Sequence, residues 1–238
     1  RPGKLIATPQ EELTALSPRR SKPETQEASE NRDELEELLA LIKQHDAAAY
    51  QQAIQQRLAR QGLQRFVQDT IAPLTRRVGE YWEDGSFEVF EEHLYTELTK
   101  RLLRQAISTL PGGPRAPRVL LTSVPEELHV LGLLMVEALL ALEGAECIPL
   151  GTQMPLLEIG RAAQAHQADI VALSFSGAFP QRQIGGLLQQ LRMILPATTA
   201  LWAGGSGVAR VARSDDAELI TTLDDTLATL AAWRLQHS

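Results

Sequence analysis

Apolar residues recur every three to four positions from residue 33 to residue 109, and at residue 118 the rhythm changes to short continuous apolar runs. The first stretch, opening with LEELLALIKQHDAAAYQQAIQQRLARQG, combines that helical period with strong helix formers. Gly62 interrupts it, and so does Asp84-Gly85-Ser86, where Ser86 is placed to cap the next helix. Residues 33–109 are therefore predicted to form four helices in a compact bundle. Before them, PRRSKPETQEASEN (18–31) is polar and holds no large apolar residue, which reads as a linker. Residues 1–17 predict one short helix, with Thr8-Pro9 at its start.

Pro111-Gly112-Gly113-Pro114 marks a domain boundary. After it come RVLLTS (118–123), ECIPL (146–150), DIVALS (169–174), ALWAG (200–204) and ELITT (218–222), which read as strands. Helical stretches at 129–143, 155–167, 181–194 and 223–236 separate or follow them. Such alternation predicts a parallel sheet with helices on both faces, and five strands with short connections predict the flavodoxin-like order. The chain thus divides into residues 1–31, a helical unit over 32–110 and an α/β unit over 118–238. In such sheets ligands lie at the carboxyl ends of the strands, so the loops that follow the strands are where chemistry is expected.

Composition narrows the function. Lys and Arg number 23 against 30 Asp and Glu, a net charge of -7, so these residues make a poor surface for a polyanion. The single cysteine, Cys147, cannot form an internal disulfide, which fits a reducing, cytoplasmic setting. The apolar run from Val130 to Leu142 is broken by Glu137 and is too short to span a bilayer, and no secretory leader is visible. No membrane association is expected. The chain begins at Arg1 and not at Met, as a piece of something longer would.

Three short motifs fall at the predicted strand ends. Glu127-Leu128-His129-Val130-Leu131-Gly132 follows the first strand, Ser174-Phe175-Ser176 ends the third, and Gly204-Gly205 ends the fourth. One ligand could touch all three. Taken alone, the first motif reads as a His that caps or packs at a helix start; its company at the other strand ends is what points to a ligand.

With these spacings the chain resembles the cobalamin-binding domain family, shared by methionine synthase, corrinoid methyl carriers and certain regulators. Glu127 stands where the methyl carriers have Asp, and Ser176 where they have an apolar residue or Thr. The resemblance implies that cobalt is ligated from below by His129, replacing the cofactor's own base. It also implies that Glu127 sets the ligand's basicity, with Ser174 bonding that carboxylate. Val130, Leu131, Gly132, Ser176, Gly204 and Gly205 would complete the cofactor contacts, the glycines leaving room for the nucleotide tail.

The helical unit carries a second motif. Trp82 is followed, after nine residues, by Glu92-His93. That pattern resembles the light- and cobalamin-responsive repressors of the MerR family, the CarH/LitR group. It implies that the bundle closes over the upper face of adenosylcobalamin, with Trp82 above the adenosyl group and Val89, Glu92 and His93 beside it. In the light sensors of this group a second His follows the Trp; here that position is Glu83. RPGKLIATPQEELTAL resembles the end of a MerR-type winged-helix domain, which implies that DNA is read by a segment upstream of Arg1. The same resemblance implies a homotetramer in the dark, dispersed by light, and a regulator rather than an enzyme. The alternatives are a corrinoid methyl carrier and a light-independent cobalamin sensor. His45, His166 and His237 are expected to be surface or core residues, Trp202 and Trp233 to pack, and Arg76-Arg77 to lie on a solvated helix face.

Overall fold

The computed structural model describes residues 22–111, 116–211 and 214–237, with side chains from residue 31 onward. The predicted short helix over 1–17 and the Gly-Gly-Pro of the predicted boundary lie outside the described residues.

Four helices come first. Helix α1 spans Lys22–Lys43 and so begins inside the stretch read as a linker. The polar residues there are Glu, Gln and Ser around a Pro in the first turn, which suit a helix start although they show no apolar period. Helix α2, Ala47–Gln61, is capped by the Asp46 carboxylate, which accepts the Ala49 N–H at 2.9 Å, and ends at Gly62 with φ of 74°. Leu63–Arg65, a π-helical Phe66–Ile71 and Ala72–Glu83 run on without interruption as α3.

The π-helical turn has a local cause. Pro73 lacks an N–H and its ring crowds the carbonyl of Asp69, so the helix widens just before it. The freed Asp69 carbonyl accepts the side-chain N–H of Asn31 from α1 at 3.2 Å. Arg57 of α2, almost wholly buried, donates to Thr70 within the same turn at 2.8 Å and pairs with Glu34 of α1. One polar cluster therefore ties three helices together at the kink.

Helix α4, Val89–Ser108, starts at Glu88 and not at the expected Ser86. The Glu88 N–H donates to the Glu91 carboxylate at 2.8 Å, while Ser86 stays in the turn, its N–H donating to Asp84.

The α/β unit follows as β1 (Arg118–Thr122), α5 (Leu131–Leu142), β2 (Glu146–Gly151), α6 (Leu156–Ala165), β3 (Ile170–Ser174), α7 (Gln181–Ile194), β4 (Ala200–Gly204), β5 (Glu218–Ile220) and α8 (Leu223–Gln236). The sheet is parallel throughout, in the order β2-β1-β3-β4-β5. This is the predicted flavodoxin-like order, and its reversal lies between β1 and β3.

Helix α5 joins the two units. One side, with Leu133 and Leu140, packs on the sheet; the other, with Leu131, Leu134, Met135, Ala138 and Leu139, shares a core with Phe66, Tyr95 and Leu103 of the bundle. An apolar sequence on every side is what a helix buried between two layers requires, and it accounts for the run from Val130 to Leu142. Among the described residues no helix is long and apolar enough to cross a membrane.

Candidate functional site

The loop leaving β1 crosses the point where strand order reverses, and it is pinned from several sides. Buried Ser123 donates its hydroxyl to the Glu127 carbonyl at 2.7 Å and accepts the Gln153 N–H at 3.0 Å. Glu126 takes a positive φ of 70°, turning the chain so that Glu127 points inward and its neighbours Leu128 and His129 outward.

The Glu127 side chain is 1% exposed and its four hydrogen bonds are all internal. One oxygen accepts the His129 backbone N–H at 2.9 Å and ring Nδ1 at 2.7 Å. The other accepts the Ser176 N–H at 2.7 Å and its hydroxyl at 2.9 Å. Burial works against the charged form, but the bonds from His129 and Ser176 outweigh it and hold the carboxyl below its ordinary value. On His129 the bond to Glu127 raises the imidazole pKa, against the opposing effect of burial, and the charges of Glu127 and Glu92 add to it.

The donor chemistry follows from this geometry. In the neutral ring, an ionised Glu127 requires the proton on Nδ1, which leaves the Nε2 lone pair free on a side chain that is 60% exposed; the raised pKa means a metal ion must displace the Nε2 proton as pH falls. The arrangement fits a cobalt ligand: an outward nitrogen, a fixed tautomer and a buried anion behind it.

The residue bonding Glu127 is Ser176, where the sequence pointed to Ser174. Ser174 ends β3 and instead lies against the start of α5: a Cβ on Gly132 would come within 2.6 Å of the Ser174 Oγ. Ser176 is two residues further on, in the loop, where both its backbone and its hydroxyl reach the carboxylate. We expect Ser176→Ala to leave the fold intact and to remove one charge-assisted bond, lowering stability by about 1.5–3 kcal/mol. Chemical denaturation of the two proteins checks this; identical midpoints would show that the hydroxyl is idle.

The glycine pair divides in its roles. At Gly205, with φ of 98°, a Cβ would fall 2.3 Å from the Phe175 carbonyl oxygen; at Gly204 the nearest atom is the Ile220 carbonyl oxygen at 3.3 Å. Gly207, which sequence reasoning passed over, is as tight, at 2.5 Å from the Ser176 carbonyl. These close approaches let the β4 loop lie against the β3 loop, where the Phe175 N–H donates to the Gly204 carbonyl at 2.9 Å and the Phe175 carbonyl accepts the Gly207 N–H at 3.0 Å.

On the bundle, Trp82 and Val89 are 52% and 59% exposed, one at the end of α3 and the other at the start of α4. Glu92 accepts the Thr96 hydroxyl at 2.7 Å and lies 3.1 Å from His93 Nδ1. Val130 is half-buried against the bundle core and Leu131 lies within it. The structure thus assembles Glu127, His129 and Ser176 into one cluster and brings the Glu92 charge to bear on His129 from the bundle. Elsewhere, Arg77 is not merely solvated but pairs with Glu36 at 2.6 Å. Trp202 is buried in the sheet, and Trp233 stacks on His237 with ring centroids 4.1 Å apart.

Comparison with known proteins agrees with this architecture. Residues 34–107, within the bundle, match the family described as B12 binding domain. The chain is 31% identical over 171 residues to the HTH-type transcriptional repressor CarH of Myxococcus xanthus, covering 72% of this chain and 57% of that protein. It is 30% identical over 138 residues to the HTH-type transcriptional repressor CarA of the same organism, covering 58% and 46%. The chain spans about half the length of the curated relatives it matches. A solved structure of the monomethylamine corrinoid protein of Methanosarcina barkeri superimposes with a TM-score of 0.64 at 14% identity, covering 85% of this chain and 99% of that one. That likeness is one of fold.

Proposed function

We propose that this chain, whose residues 34–107 match the family described as B12 binding domain, is the adenosylcobalamin-binding, light-responsive sensing part of a transcriptional regulator. The observation that carries the reading is the buried Glu127, which fixes the His129 tautomer and leaves an exposed Nε2 at the reversal of strand order. His129 would hold the cofactor's cobalt, with Glu127 fixing its ring and Ser176 fixing Glu127. Exposed Trp82 and Val89, with Glu92 and His93, are the bundle residues that would close over the cofactor's adenosyl group.

When bound, the cofactor supplies a cobalt–carbon bond that visible light breaks. The chain's own part is to bridge two units. The bundle and the sheet already share a core along α5, and a ligand held between them adds contacts to one packing of the two, so its loss shifts the population toward another. In this reading the dark form assembles, as a tetramer, and the whole regulator represses from DNA through a segment preceding these residues. Similarity to two HTH-type transcriptional repressors supports a regulator over an enzyme.

Reconstitution of the 238-residue chain with adenosylcobalamin in darkness, followed by sizing before and after illumination, tests the proposal. A fall in mass on illumination is expected. An unchanged mass would contradict the light-responsive reading, and equal affinity for methylcobalamin would favour a methyl carrier.

A further inference from the structure

Trp82 is an exposed side chain on the last turn of a helix, a position where a ring is ordinarily free to wander. Its neighbour is not. The Tyr81 hydroxyl donates to Glu36 of α1 at 2.7 Å, and the other oxygen of Glu36 pairs with Arg77 one turn back on α3. Lys43, at the far end of α1, lies 5.9 Å from the Tyr81 ring centroid and 5.8 Å from that of Phe87. The two rings meet with centroids 5.6 Å apart, and Phe87 is buried. The backbone closes the same clasp, since the Tyr81 carbonyl accepts the Phe87 N–H at 2.8 Å and the Trp82 carbonyl accepts the Gly85 N–H at 3.3 Å.

The end of α3 is thus held by α1 through a hydrogen bond, an ion pair and a cation over two rings. Such contacts cost conformational freedom to form, and here they immobilise a turn whose only large exposed apolar side chain is Trp82. We propose that Tyr81, gripped by Glu36 and Lys43, is the positioning residue for Trp82 and thereby sets the preference for a large upper axial group over a small one. This deepens the proposed function and rests on its assignment of Trp82 to the upper face.

Tyr81→Phe keeps the ring and the cation contact and removes only the bond to Glu36. Two readouts apply. In the cofactor-free protein, Trp82 emission, obtained by difference from Trp82→Phe, is expected to show lower anisotropy. In the reconstituted protein, the ratio of adenosylcobalamin to methylcobalamin affinity is expected to fall about three- to tenfold, a part of the tenfold or more that one hydrogen bond to a charged group is worth, since Tyr81 acts only through Trp82. Glu36→Gln in the otherwise wild-type protein, which keeps an acceptor for the Tyr81 hydroxyl, should retain most of that ratio. A purely structural role would weaken both cobalamins alike and leave the ratio unchanged. An unchanged ratio would overturn the role of Tyr81 in setting the preference, and unchanged anisotropy would overturn its hold on Trp82. Wild-type protein that binds neither cobalamin would instead overturn the cofactor reading on which it rests, while the anisotropy would still report whether Tyr81 holds Trp82.

Discussion

His129→Ala is expected to lower affinity for adenosylcobalamin by at least about tenfold and to abolish the absorbance of the histidine-ligated form. The magnitude follows from what is lost. Changes to groups that merely orient a metal ligand cost about 10- to 100-fold, and His129 is assigned as the ligand itself. The substitution is also clean. The side chain is 60% exposed, so no core is disturbed, and the backbone N–H that bonds Glu127 survives in alanine. The Ser176 bonds still hold the carboxylate. The cofactor-free variant should stay folded, less stable by about the 1.5–3 kcal/mol expected for Ser176→Ala because one charge-assisted bond to Glu127 is lost, while the reconstituted variant's visible spectrum changes. Equal affinity and an unaltered spectrum would remove His129 from the metal.

Gly205→Ala is expected to have the largest effect on stability, and in a direction that separates two explanations of the glycine pair. If the glycines serve only to leave room for a cofactor tail, either can become alanine in the cofactor-free protein without cost. The geometry says otherwise. A Cβ at Gly205 would stand 2.3 Å from the Phe175 carbonyl oxygen, on a backbone with φ of 98°. Strain of that kind costs about 1–3 kcal/mol before any overlap is relieved, so a loss of about 2–4 kcal/mol is expected by denaturant titration of the cofactor-free chain. Gly204→Ala, with ordinary φ and 3.3 Å of clearance, should cost less than about 1 kcal/mol. Equal stabilities for the two variants would return both glycines to the cofactor.

How far the sequence discloses this arrangement depends on the kind of signal involved. The strands are legible because β1 and β3, central and buried on both faces, must be continuous apolar runs, and strand order follows from helices alternating between them. The pair Glu127 and His129 is legible because two residues of spacing suffice for the bond between them. Ser176 is not distinguishable from Ser174 in that way: both are serines two apart, and only the end of β3 decides which faces α5 and which the carboxylate. The start of α1 at Lys22 escapes a periodicity argument because polar helix formers leave no apolar stripe. The kink at Pro73 is visible as a residue, but its accommodation by Asn31, 38 residues away from Asp69, is a tertiary contact with no local trace. The grip of Glu36 and Lys43 on Tyr81 is of the same kind.

The central claim is that His129 is bonded to the metal, and one measurement addresses it directly. The chain, grown with 15N-labelled histidine, is reconstituted with adenosylcobalamin, photolysed anaerobically at low temperature, and its paramagnetic Co(II) signal recorded. Histidine below the cobalt predicts that the nitrogen hyperfine pattern changes from the triplet of 14N to the doublet of 15N, and that His129→Ala abolishes the change. A triplet that persists under labelling would place the cofactor's own base on the metal and contradict the assignment.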